Sequence, residues 1–251
     1  MDLQLRDRTA IVTGASQGIG KATAIGLAAQ GVRVALVARR RPLLEDIAAG
    51  IVAAGGPAPH IIEADLYQET VVERIVQSAR TAFGHVDIVV NAGGGSRPLD
   101  FDAGPDLWLE GMTLNFFRLR ELTQALIPGM RERRWGRVVN ITGTSEPKIL
   151  NAAFSAKAAV HIWAKGLSRL VAADNVTVNC LQPGRIHSEQ MTLRYPTIES
   201  ELEFARHEIP AGRFGEAEEL ANVAIFLCSP RAAYVTGTVI PVDGGMSRHA
   251  F

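Results

Sequence analysis

Net charge is missing from this sequence: Lys plus Arg and Asp plus Glu stand at 26 each. No basic excess remains to hold a nucleic-acid backbone by counterion release, so nucleic acid is not expected as a partner. Long apolar runs are missing too. Nothing approaches the roughly 18 consecutive apolar residues of a membrane span, and the start "MDLQLRDRTAIVTG" carries charges of both signs before its first apolar run. A soluble cytoplasmic protein with no membrane partner is expected. Cysteine is scarce. Cys180 in "NVTVNCLQPG" and Cys228 in "ANVAIFLCSP" lie in apolar runs without metal-ligand spacing. Both are expected as buried reduced thiols, and no metal site is expected. Internal repeats and low-complexity linkers are lacking as well, which points to one domain over residues 1–251.

What is present is a core-forming composition, with 47% hydrophobic and 21% charged residues. Short β-branched runs alternate with stretches of helical period. "TAIVTG", "VRVALVA", "HIIEA", "VDIVVNAG", "GRVVNIT" and "VTVNCLQ" are apolar on both faces, as parallel strands must be, and "GTVIPVDGG" closes the series. Helices are expected over 18–30, 42–54, 68–83, 106–133, 151–172 and 216–228. A parallel connection needs a crossover of helical length, so this order predicts a doubly wound α/β sheet with helices on both faces. Residues 185–212 break the pattern after Pro183-Gly184 and are expected as an irregular lid over the carboxyl ends of the strands.

The first strand runs into "TGASQGIG". Glycines there allow a tight turn and a close approach of backbone to a pyrophosphate, which would meet the free N–H groups of the helix that follows. The second strand ends "ALVARRR". A carboxylate at that end would bind the ribose hydroxyls of NAD, but the place holds Ala38 followed by Arg39, Arg40 and Arg41. A guanidinium fork suits a 2′-phosphate, so NADP(H) is expected over NAD(H). Arg39 is the preferred partner, with at least one of the three on a solvated helix face.

These features resemble the short-chain dehydrogenase/reductase family over almost the whole chain. The family's T-G-x-x-x-G-x-G motif stands as Thr13-Gly14 through Gly18-Ile19-Gly20, its adenine-contacting Asp as Asp65 before Leu66, its N-A-G as Asn91-Ala92-Gly93, and its P-G as Pro183-Gly184. The resemblance implies a seven-stranded parallel Rossmann-type sheet and a homo-oligomer, commonly a tetramer. Trp108, His161 and Trp163 would then be interface residues. It also implies a set of cofactor contacts. Gly14, Ser16, Gln17, Gly18, Ile19 and Gly20 come from the turn, and Arg39, Arg40, Asp65 and Leu66 from the adenosine end. Asn91, Ala92, Gly93, Lys157, Pro183, Gly184, Ile186 and Ser188 come from the nicotinamide end.

The family's catalytic set is Asn, Ser, Tyr and Lys. Asn115 and Lys157 match, and the other two do not. Four residues before Lys157, on the same helix face, is Ala153. A methyl group cannot donate a proton. Shifting by one brings in Phe154, which lacks the phenol oxygen, and Ser155 projects to the opposite side. At the serine position "VVNITGTSEP" has Gly143, flanked by Thr142 and Thr144, with Thr144 preferred as the substitute and its own turn as the competing role for its hydroxyl. The connection into Lys157 is about three residues shorter than the family's usual spacing, so a reshaped pocket floor is expected. Proton donors to weigh are Lys157 through a water held by Asn115, Tyr195 from the lid, and His187. Arg97, Arg185 and Arg194 would suit an anionic small-molecule substrate if they converge. The leading expectation is an NADP(H)-dependent carbonyl/alcohol oxidoreductase with an atypical proton donor. The alternative is an NADPH-binding protein without redox chemistry, and the fold alone allows other chemistries.

Overall fold

A computed structural model describes residues 1–144 and 146–249. Seven strands, β1 (Thr9–Thr13), β2 (Arg33–Ala38), β3 (His60–Glu63), β4 (Ile88–Asn91), β5 (Gly136–Ile141), β6 (Val176–Pro183) and β7 (Val239–Val242), form one sheet in the order β3-β2-β1-β4-β5-β6-β7. Every neighbouring pair is parallel. The chain winds outward from β1 to β3, then returns to lay β4 against β1, so the order reverses between those two strands. That reversal leaves a crevice beyond their carboxyl ends, where ligands of open α/β sheets bind.

Successive strand side chains leave opposite faces of the sheet, and both faces are apolar here. Ala10, Val12, Val34, Leu36, Ile88 and Val90 enter one core, beneath α1 (Gly18–Ala29), α2 (Arg41–Ala53) and α9 (Ala217–Cys228). Ile11, Ala35, Val37, Val89 and Val138 enter the other, beneath α3 (Val71–Phe83), α5 (Arg118–Glu132) and α6 (Ala152–Val171). Cys180 and Cys228 are buried free thiols, and burial pushes both up to about 12. No helix among the described residues is long and apolar enough to cross a membrane.

Two segments differ from expectation. The stretch 106–133 is not one helix: α4 (Pro105–Met112) passes through a π-helical turn, Thr113–Phe117, before α5. Apolar period alone cannot reveal such a turn, which adds a residue to one helical repeat and recurs at functional sites. Residues 185–212 are not wholly irregular either, because they hold α7 (Glu189–Arg194) and α8 (Ile198–Glu208). Their signals were caps: the Ser188 side chain accepts from Met191 N–H, and Thr197 and Ser200 form a capping box. An aromatic cluster of Tyr195, Phe204 and Phe214, with ring centroids 5.1–6.0 Å apart, ties this segment down.

Candidate functional site

A cavity of about 470 Å³ opens over the switch point. Its floor is backbone. Gly14 has φ +66°, and a Cβ there would lie 2.8 Å from Ala92 O, while a Cβ on Gly20 would lie 2.4 Å from Gly14 O. Neither position admits a side chain, so the turn after β1 packs directly on the end of β4. Thr13 locks the two together: its Oγ1 accepts the Ala92 and Gly93 N–H groups at 3.1 and 2.9 Å. Helix α1 starts in the cavity with no side-chain cap from Gln17 and no acidic residue in its first turn. Its free N–H groups and positive dipole end suit an anion.

At one end the cavity is lined by Arg39, Arg40, Asp65 and Leu66. Arg40 is engaged, pairing with Glu189 at 3.0 Å and meeting Gln17, and Arg41 pairs with Glu45 at 2.8 Å on the surface of α2. Arg39 makes no ion pair among the described residues, which leaves its guanidinium free for a phosphate. Asp65 Oδ1 accepts the Tyr67 N–H at 3.0 Å, shaping the wall there.

At the other end stands Lys157. Its Nζ donates to Thr142 O at 3.1 Å, and desolvation lowers its pKa from the usual 10.5 to about 8. Asn115, in the π turn, donates to Gly95 O and Gly111 O at 2.9 Å each and accepts the Gly95 N–H at 3.3 Å. Both amide protons are thus used. A Cβ on Gly94 would lie 2.7 Å from Asn115 Oδ1 and 3.8 Å from Lys157 Cε, so the two side chains bracket the loop that follows β4. Ser16, Gln17, Gly18, Ile19, Ala92, Gly93, Pro183, Gly184, Ile186 and Ser188 line the same cavity.

Asn91 does not line it. As the last residue of β4 it turns its side chain inward, where Nδ2 donates to Asn140 Oδ1 and Thr123 Oγ1 at 2.8 and 3.0 Å and ties β4 to β5 and α5. Glu189, Gln190, Met191 and Tyr67 line the cavity without having been expected there. The cap at Ser188, which starts α7 on the rim, was the available signal for the first three.

The two threonines part company. Thr144 Oγ1 accepts the Glu146 N–H at 3.0 Å in its own turn, outside the 470 Å³ cavity. Thr142 lines that cavity, but its hydroxyl donates to Leu181 O at 3.0 Å and meets His161 Nε2 at 2.8 Å. With that proton spent, Thr142 Oγ1 accepts from a His161 that desolvation keeps toward its neutral form. His161 therefore joins the site one helical turn beyond Lys157.

Gly143 lies close to Lys157. A Cβ on Gly143 would lie 3.3 Å from Lys157 Cδ and 4.0 Å from Phe154 Cδ1. Phe154, rather than Ala153, comes within 4.0 Å of that Cβ position, and Ala153 borders a separate cavity of about 170 Å³ beside Asn115. Of the other candidate donors, His187 is clamped between Glu201 at 2.8 Å and Glu216 at 2.9 Å. Those carboxylates raise its pKa, and both ring nitrogens are occupied. Tyr195 packs in the aromatic cluster. Arg97 pairs with Glu110 on the cavity of Ala153, whereas Arg185 and Arg194 line a third cavity with Phe154.

A family model described as enoyl-(acyl carrier protein) reductase matches residues 14–247. The 3-oxoacyl-[acyl-carrier-protein] reductase FabG of Pseudomonas aeruginosa is 36% identical over 249 residues, spanning 97% of this chain and 99% of its own length. The protein of the same name from Aquifex aeolicus is 33% identical over 251 residues, spanning 98% of this chain and 100% of its own length. The crystal structure of L-sorbose reductase from Gluconobacter frateurii, complexed with NADPH and L-sorbose, matches with a TM-score of 0.94 at 30% identity over 99% of this chain and 100% of that one. With sheet order, cavity and end-to-end similarity in agreement, this chain belongs to the short-chain dehydrogenase/reductase family.

Proposed function

We propose that the chain is an NADP(H)-dependent oxidoreductase that interconverts a carbonyl and an alcohol on a small substrate, with an atypical proton donor. One observation carries this reading: a single cavity joins an uncapped helix start and an unpaired arginine to a lysine of lowered pKa. The NADPH named with L-sorbose reductase supports the choice of cofactor. When bound, NADPH supplies the hydride for the carbonyl carbon. Arg39 holds the 2′-phosphate, the first N–H groups of α1 hold the pyrophosphate, and Asp65 with Leu66 bounds the adenine. Ile186 and Ser188 bound the nicotinamide end, and residues 185–212 act as the lid.

Lys157 has two tasks in this reading. It holds the nicotinamide ribose, and its ammonium delivers a proton to the carbonyl oxygen. A pKa of about 8 leaves the ammonium mostly charged at neutral pH yet ready to release a proton, near the optimum for an acid working there. Thr142 O fixes the direction of Nζ. Asn115 keeps Gly94 and Gly95 over the lysine and acts as a positioning residue.

Gly143 and Phe154 favour a second reading, a protein that binds NADPH without turning it over, because neither supplies the hydroxyl the family uses. One experiment separates the two. The purified protein is titrated with NADPH and NADH, and NADPH oxidation is followed over a panel of aldehydes and ketones. NADPH binding well ahead of NADH, with turnover of at least one carbonyl, is expected. Tight binding with no turnover selects the second reading, and no binding of either nucleotide overturns both.

A further inference from the structure

The chain beyond β6 is extended: Ile186 bridges Gly215, the Gly215 N–H donates to Arg185 O at 2.8 Å, and the His187 N–H donates to Gly215 O at 2.9 Å. Side chains of an extended segment alternate between two sides. Ile186 and Ser188 line the nucleotide cavity, and Arg185 lines a smaller one of about 60 Å³ on the other side, shared with Phe154 and Thr144. Lys157 lines the first cavity and Phe154 the second, and a Cβ on Gly143 would lie 3.3 Å from Lys157 Cδ and 4.0 Å from Phe154 Cδ1.

Charge in the smaller cavity is unbalanced. Lys148 and Arg248 pair with Glu208 at 2.5 and 3.6 Å, and Glu146 accepts the backbone N–H groups of Arg248 and His249. Four cations, Lys148, Arg185, Arg194 and Arg248, thus line it against two carboxylates, Glu146 and Glu208, and neither Arg185 nor Arg194 makes an ion pair among the described residues. Arg185 lies 5.0 Å over the Phe204 ring, and its Nε is buried with no hydrogen-bond partner among those residues. A desolvated guanidinium N–H without an acceptor is unfavourable unless a ligand supplies one.

We propose that Arg185, with Arg194 beside it, binds an oxyanion of the carbonyl substrate, a carboxylate or a phosphate. The apolar stem of that substrate lies on Phe154 and its carbonyl reaches past Gly143 to Lys157. The proposal rests on the oxidoreductase reading of the neighbouring cavity and adds the substrate class to it. Neutral carbonyl compounds of the same shape are discriminated against, since they leave the guanidinium unpartnered.

The test reads binding apart from turnover, by calorimetry on protein saturated with NADP⁺, where no hydride is available. The probes are 2-oxobutyrate against its methyl ester and dihydroxyacetone phosphate against dihydroxyacetone. At least one anion is expected to bind about tenfold or more tighter than its neutral partner, a preference within reach of one charge-assisted contact, and the pair that shows it tells carboxylate from phosphate. Arg185→Met is expected to erase the preference without changing NADP⁺ affinity, and Arg185→Lys to restore part of it. Equal binding of anion and neutral partner in both wild-type pairs overturns the proposal, as does a preference that survives Arg185→Met. Failure of NADP⁺ to bind overturns the cofactor reading instead, because the anion comparison can then be read on the free protein.

Discussion

Replacing Phe154 by tyrosine puts a phenol where the structure brings Gly143 and Lys157 together. The substitution adds one oxygen to a ring whose Cδ1 lies 4.0 Å from the Gly143 Cβ position, three residues before Lys157 on α6. Positions three and four residues apart share a helix face, so the phenol is introduced on the face of α6 that carries Lys157. A positioned general acid contributes about 10²- to 10⁴-fold. Lys157 already releases a proton near neutral pH, so the gain belongs at the lower end, about 10²-fold in kcat, or about 2.7 kcal/mol of barrier. Gly143→Ser adds the missing carbonyl donor. Its Cβ would sit 3.3 Å from the flexible Lys157 chain, and Gly143 has no positive φ to forbid it. NADPH oxidation is measured for Phe154→Tyr, Gly143→Ser and the double variant on a carbonyl that the wild type reduces, with NADPH affinity and thermal unfolding as controls. Ala153→Tyr is the contrast: it faces the cavity beside Asn115 and is expected to give no gain. A folded Phe154→Tyr protein with unchanged NADPH affinity and an unchanged rate would refute the placement, more so if Ala153→Tyr were the variant that gained.

Arg39→Ala is expected to weaken NADPH about 10- to 100-fold, the loss of a charge-assisted phosphate contact, while NADH changes little; equal losses measured by titration would remove Arg39 from the 2′-phosphate. With Lys157 as donor, carbonyl reduction is expected to be flat with pH below about 8 and to fall about tenfold per unit above it, as the ammonium is lost far below an ordinary lysine's 10.5. A pH–rate profile that rises through 8 would assign the proton to another group. Arg137 is fully buried at the start of β5, donating to Ser229 O, Gly136 O and Asn175 O at 3.2, 2.8 and 2.9 Å and lying 4.5 Å over Trp135. Arg137→Ala is expected to cost about 3 kcal/mol, a fall of about 6–12 °C in Tm, and a fall under about 2 °C would show that those carbonyls find water instead.

The sheet was legible because parallel strands are buried on both faces: Ala10 and Val12 enter one core and Ile11 the other, which leaves an unbroken apolar run in the chain. The cofactor cavity was legible for a related reason. Its floor is made by glycine positions and strand ends that spacing alone defines, whereas spacing does not say which face the Asn91 side chain takes at the end of its strand. Helices α7 and α8 escaped notice because they are short and polar, with Ala205 their one buried residue, so caps and not periodicity mark them. The proton-donor slot escaped for a different reason. A helical offset from Lys157 gives an angle on α6, but what meets that face is decided by Gly143, from another element and after a connection of unusual length. Arg137 shows the same limit inside a strand that reads as buried: nothing in "GRVVNIT" shows three carbonyls converging on a guanidinium.

The side chains bordering the reacting centre divide by what holds them in place. Glycines of the turn and Thr13 are dictated by contacts between strand ends, which the fold needs whether or not any hydride moves. Lys157 is different. Its ordinary pKa of 10.5 falls to about 8 on burial, so between those values the unfolded chain binds the proton and the folded one does not, and stability rises with pH across that window. Below about pH 8 the folded protein carries a desolvated ammonium at a cost on the order of 3 kcal/mol. Ribose binding alone needs donors and acceptors, which an uncharged side chain supplies without that cost. In the oxidoreductase reading, a desolvated ammonium lining the nucleotide cavity is accounted for by a proton that leaves near neutral pH better than by a contact that merely holds.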